Sequence, residues 1–272
     1  MSEPASDDNV PMRRDRWIVA ALLVVVTAAA WAFTVDQSWQ MDAMDAAMWR
    51  DMNMSMNGME PSWTLPDTVL VFVMWSAMMA AMMVPGTAPM VATFSTIQRR
   101  RRERAAPHVP TAIFLAGYVA AWVGFSAIAT ALQYLLQQTE LLTTMMQSAS
   151  YYFSAALFLI AGIYQFSPLK ERCLSYCRSP MGFILTEWRD GALGAAIMGL
   201  RHGLFCMGCC AALMVLLFAV AVMDLRWVAA LTVLVTAEKL LPHPRFWRVG
   251  IGIALLAAGA AFAIVALQAS FA

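Results

Sequence analysis

The amino-acid sequence predicts an all-α fold, a polytopic bundle of about seven transmembrane helices with a cytoplasmic N-terminus. Composition is the first reason: 61% of the 272 residues are apolar and 13% are charged, against about 25% charged in an ordinary soluble domain. The second is a set of long runs almost free of charge, because a hydrocarbon core of about 30 Å takes roughly 20 apolar helical residues to cross. The third is the placement of basic residues. Lys and Arg are retained on the cytoplasmic side during insertion, and seven spans starting from inside put 16 of the 18 basic residues inward, leaving Arg50 and Arg226 outside.

Residues 1–16 are polar and read as a disordered cytoplasmic N-terminus. Residues 17–35 form the first span or a signal anchor. Its flank of Arg13, Arg14 and Arg16 and the run Ala30-Trp31-Ala32 would also suit a signal peptidase, which would leave six spans. Residues 36–67 make a Met-rich outer segment, and the bundle proper occupies residues 68–272. Within it, spans are predicted at 68–94, 111–136, 150–166, 203–223, 227–241 and 249–267. The span at 227–241 is short and carries Glu238 and Lys239. The run from Arg99 to Arg104 serves as a stop signal facing anionic lipid. An inner Cys-containing segment covers 167–202, and Pro180 followed by Phe183, Ile184, Leu185 and Trp188 predicts a short helix at the interface. Gly252, Ala254, Ala258 and Gly259 predict close packing of the last span.

Sulfur is the oddity of the sequence. Of 22 methionines, 13 lie between Met41 and Met90. Met41, Met44, Met48 and Met52 are spaced to share one helical stripe. Such a stripe is commonly interfacial apolar surface, but that role would take Leu or Phe equally well, whereas thioethers select Cu(I). Met74, Met78 and Met82 share a second face with Met79 and Met83 beside it, open to either helix packing or metal ligation.

The cysteines point to the other side. Cys173 and Cys177 form a Cys-x₃-Cys pair on the inner segment, and Cys206, Cys209 and Cys210 open the span at 203–223. The topology puts all five near the cytoplasm, where thiols stay reduced. On a helix, His202, Cys206 and then Cys209 or Cys210 fall on one face, a chelating pattern. Glu238 reaches the same level as a hard ligand, a proton carrier or the partner of Lys239 or Arg201. The net charge of +1 gives no reason to expect nucleic acid, and no nucleophile triad, phosphate loop or dinucleotide fingerprint is present.

Several of these residues resemble a known family. They are Trp75-Ser76-Ala77-Met78-Met79-Ala80-Ala81-Met82-Met83-Val84-Pro85, Tyr164-Gln165-Phe166-Ser167-Pro168-Leu169-Lys170, Cys173-Leu174 and Cys177-Arg178. Gly203, Cys206, Gly208-Cys209-Cys210, Leu213-Met214 and Glu238-Lys239 complete the set. Together they resemble the predicted metal-binding integral membrane proteins, a domain of unknown function sometimes labelled copper-chaperone-like. The resemblance covers about residues 67–245 and implies metal association. Ala211 stands where relatives commonly have an aromatic residue.

The resulting expectation is a protein of the bacterial inner membrane that binds Cu(I), as a transporter or as a metallochaperone for a cuproenzyme or copper carrier. The alternative is a metal-dependent membrane oxidoreductase, or a subunit of one, with His202, Cys206, Cys209, Cys210 and Glu238 as its active centre.

Overall fold

Helix-forming residues dominate from the start. The computed structural model describes residues 10–50, 63–104, 108–143, 148–242 and 244–271. Helix α1 (Val10–Arg50) runs through both the first span and the beginning of the outer segment. Beyond Pro11 it contains no Gly or Pro, so no residue interrupts the backbone ladder where the hydropathy falls. Met41 is half-buried on α1. The side chains of Met44 and Met48 and the whole of Met52 lie outside the described residues.

Helix α2 (Leu65–Met83) begins with a reciprocal cap, in which the Thr64 hydroxyl accepts from the Asp67 amide and the Asp67 carboxylate accepts from the Thr64 amide. The predicted span at 68–94 is divided. Pro85 has no N–H to continue the ladder, so a single 3₁₀ turn (Pro85–Thr87) separates α2 from α3 (Ala88–Glu103), which carries the arginine run.

Helix α4 (Thr111–Gln138) crosses the bundle without a break. Helices α5 (Tyr151–Gln165) and α6 (Pro168–Arg178) bend by 66° at Ser167, whose hydroxyl accepts from the Leu169 amide at 3.1 Å. Helix α7 (Pro180–Glu187) is capped by Ser179. Its Phe183 and Ile184 are buried in a core with Phe94, Phe114 and Met198, while Leu185 is exposed.

Helix α8 (Gly191–Val215) begins well before residue 203, and α9 (Leu217–Val220) extends it. Arg201, which marked the expected boundary, is paired with Glu187, so its charge does not stop the helix. The cysteines consequently sit near the middle of α8. Helix α10 (Leu225–Leu240) has 16 residues, about 24 Å at 1.5 Å per residue. Helix α11 (Pro244–Phe271) closes the chain. The described residues contain no β-strand, and five helical stretches are long and apolar enough to cross a membrane, or up to six if α5 with α6 counts as one bent span.

Lipid is as apolar as leucine, so helix association here rests on close packing and hydrogen bonds. Helices α4 and α8 meet backbone to backbone: a Cβ on Gly199 would lie 1.9 Å from the Phe114 carbonyl oxygen, and one on Gly117 2.1 Å from that of Ala196. Helix α11 packs on α5 through the predicted small residues, with a Cβ on Gly259 falling 2.8 Å from Leu159. One end of the bundle gathers the charge pairs Arg101–Asp190, Arg201–Glu187 and Arg248–Glu171. A larger core joins α2, α4, α8 and α10, and it holds the buried cysteines and the methionines of α2.

Candidate metal centre

Two neighbours in sequence, Glu238 and Lys239, point to different places because successive helical residues diverge by about a quarter turn. The Glu238 carboxylate takes the Lys170 amine at 2.8 and 3.1 Å, with both side chains almost wholly buried. Arg178 fastens the same end of α10, donating to the carbonyls of Glu238 and Leu241 at 2.6 Å each. The expected partners of Glu238, Lys239 and Arg201, are both engaged elsewhere. Lys239 instead extends into the sulfur core, its Nζ 3.1 Å from Cys206 Sγ and 3.7 Å from Met83 Sδ.

The other groups around that amine come from helices already described. Tyr118 on α4 places its hydroxyl 3.2 Å from Cys206 Sγ and donates to the Met83 carbonyl at 3.1 Å. Cys210 Sγ lies 3.8 Å from Met83 Sδ. Cys209 points the other way around α8, toward α6, with its sulfur 4.0 Å from Cys177 Sγ. The thiols of Cys209 and Cys210 reach back to the Cys206 carbonyl at 3.0 and 2.9 Å, the helical self-bonding open to a side chain one turn on. Cys173 rests on Gly208, where a Cβ would be 2.7 Å from its sulfur, and Tyr164 donates to the Gly208 carbonyl. All five cysteines are free, and all but Cys177 are buried.

Among the described residues, no group of three or more His, Cys, Asp and Glu side chains is gathered tightly enough to hold a metal ion. The sulfur atoms instead come in pairs. A metal–sulfur bond of about 2.3 Å lets one ion bridge sulfurs up to roughly 4.6 Å apart. The separations of 3.8 Å for Cys210 with Met83 and 4.0 Å for Cys209 with Cys177 fall inside that reach. This donor set, thiol with thioether and thiol with thiol, suits a soft ion of low coordination number.

A family model described as PpoB2, copper chaperone, matches residues 72–262. The chain belongs to this copper chaperone family. No curated protein and no solved structure matches it significantly. The matched region contains the five cysteines, Met74 to Met83, Lys170, Glu238 and Lys239, so the family region and the sulfur core coincide.

The remaining candidates of this copper chaperone family member are dispersed. His202 is buried among the rings of Phe114, Tyr118 and Phe183, at centroid distances of 6.1, 5.7 and 5.2 Å, and its Nδ1 has no hydrogen-bond partner among the described residues. Met74, Met78, Met79 and Met82 pack in the main core around Trp75, whose indole donates to Gln133 at 2.7 Å. Met41 packs against that core. The sequence reading missed two groups at the centre. Lys239 was read as a companion of Glu238, although the helical period already sets the two apart. Tyr118 carries no sequence signal beyond being an aromatic residue in an apolar span.

Proposed function

We propose that this chain is a membrane copper chaperone that takes Cu(I) as cargo on buried sulfur pairs and passes it to a membrane cuproenzyme or another copper carrier. The carrying observation is the convergence of Met83 and Cys206 on the Lys239 amine, with Cys210 against the same Met83 sulfur. That nitrogen stands where a cuprous ion would sit. A primary amine with sulfur neighbours at 3.1 and 3.7 Å is an unusual tenant for a core, since buried cations ordinarily meet carboxylates or carbonyls. Cargo entry therefore requires the flexible lysine stem to swing aside, and cargo departure lets it return.

In this reading the N-terminus is cytoplasmic, about seven helices cross a bacterial inner membrane, and the methionines at Met41, Met44, Met48 and Met52 offer the first, weaker ligands. Met74, Met78, Met79 and Met82 lead toward Met83. Cys206 and Cys210 receive the ion, and Cys209 with Cys177 and Cys173 forms the next station, with His202 and Glu238 flanking the path. Thiolates hold Cu(I) more tightly than thioethers, which favours passage from the methionines to the cysteines.

The test is Cu(I) loading of the purified full chain under reducing conditions, in competition with a chromogenic Cu(I) chelator. The triple variant Cys206→Ser, Cys209→Ser, Cys210→Ser is expected to lose at least one equivalent of tightly held copper. Unchanged stoichiometry and affinity in that variant would sink the proposal.

A further inference from the structure

Away from the sulfur core, a separate cavity opens between α6 and the start of α11. It measures about 290 Å³ and is lined by Arg178, Arg245, Arg248, Glu171, Ser175 and Ser179. That volume equals about ten waters at roughly 30 Å³ each. Three guanidinium groups face one carboxylate, so the cavity carries excess positive charge. Glu171 occupies one terminal nitrogen of Arg248 at 3.1 Å. The Nε of Arg248 is buried and has no partner among the described residues, in a residue that is 9% exposed overall. A buried donor left unmatched is costly, which points to an anionic acceptor that the protein chain itself does not supply. Helix α11 begins here at Pro244, adding the unpaired amides and positive dipole of a helix N-terminus.

The rim identifies the source of the anion. Between the lining residues Arg245 and Arg248, Phe246 is 73% exposed and Trp247 39%, so α11 carries exposed aromatic side chains in the same turn as the cavity's arginines. Apolar rim beside cationic pocket is the pattern of a lipid headgroup site at the membrane boundary. We infer that this cavity binds the phosphate group of an anionic membrane lipid, held by Arg245 and Arg248. The occupant braces α11 against α6, and through Arg178 and its bonds to the Glu238 and Leu241 carbonyls it also steadies the end of α10.

The experiment is native mass spectrometry of the full-length protein released from detergent, with phosphatidylglycerol, phosphatidylcholine and inorganic phosphate each added separately. Phosphatidylglycerol is expected to be retained in preference to phosphatidylcholine. The exposed variant Arg245→Gln should weaken retention by about tenfold, the scale of one lost charge-assisted hydrogen bond. Ser175→Asp, which places a carboxylate in the cavity without touching the core, should do the same. Retention of inorganic phosphate that falls in the same variants, without lipid preference, would keep the phosphate site but move its source to solution. Equal retention of the two lipids with no phosphate binding, or retention unaffected by both substitutions, overturns the inference.

Discussion

Two lysines are buried in this bundle, and they are accommodated differently. Lys170 meets a carboxylate, with Glu238 Oε2 at 2.8 Å. Lys239, one residue along α10 from that carboxylate, meets sulfur. A buried ion pair is costly to break, because removal of either partner strands a charge. An amine among thiols and a thioether has no such dedicated partner, so its removal leaves weak acceptors that tolerate apolar surroundings. The first arrangement holds the end of α10 in place. The second leaves a group free to exchange, and the functional proposal needs that difference.

Breaking the ion pair gives the largest expected effect. Glu238→Gln should cost about 3–5 kcal/mol by stranding Lys170, seen as a large drop in unfolding temperature in detergent. The double variant Lys170→Met, Glu238→Leu should recover most of it. If Glu238→Gln proves no worse than Lys239→Met, the two lysines are equivalent and the contrast fails.

Lys239→Met comes next. It swaps the amine for a thioether of similar length, with an expected stability change under about 1.5 kcal/mol, while Cu(I) loading should accelerate because nothing need swing away. Stopped-flow loading that is slowed or unchanged would show that Lys239 does not block the ion's place. Cys206→Ser keeps an acceptor for the Lys239 amine and should leave stability within about 1 kcal/mol, yet lower the affinity for Cu(I) in chelator competition.

The smallest effect belongs to a pair at the other end of α10. Arg226, itself exposed, donates to the half-buried Asp224 at 2.8 and 3.1 Å, and its hydrogen bonds hold the Asp224 carboxyl below the usual range. A lowered carboxyl adds stability above its ordinary pKa of about 3.9 and loses it as the pH falls through the lower folded-state value. Solvent screening keeps that contribution small. Arg226→Gln should lower the unfolding temperature only slightly at neutral pH, and the difference should vanish as the carboxyl protonates.

The fold was legible wherever hydropathy alone decides: the helices at 111–138 and 244–271 lie close to the predicted spans. Helix ends were not legible where one residue stood for a boundary. Arg201 looked like the cytoplasmic edge of a span, but Glu187 answers its charge and α8 continues past it. The break at Pro85 follows from a missing amide, which average hydropathy does not register. In the site, helical spacing gathered the cysteines of α8 onto buried positions, and no local rule could single out Met83 among the methionines of α2. That selection depends on α10 delivering Lys239 and α4 delivering Tyr118 from far along the chain.

The glycine contact between α4 and α8 also sets a tempo. With Gly117 and Gly199 pressed against opposing carbonyls, the cysteine-bearing helix has little room to rotate or slide, movements that elsewhere take microseconds to milliseconds. What remains is rotamer exchange in thioethers, thiols and one lysine stem, which is intrinsically many orders of magnitude faster. Under the proposed function, hand-over from such a rigid frame would be timed by how long a receiving protein stays docked, with no slow step in the donor helix.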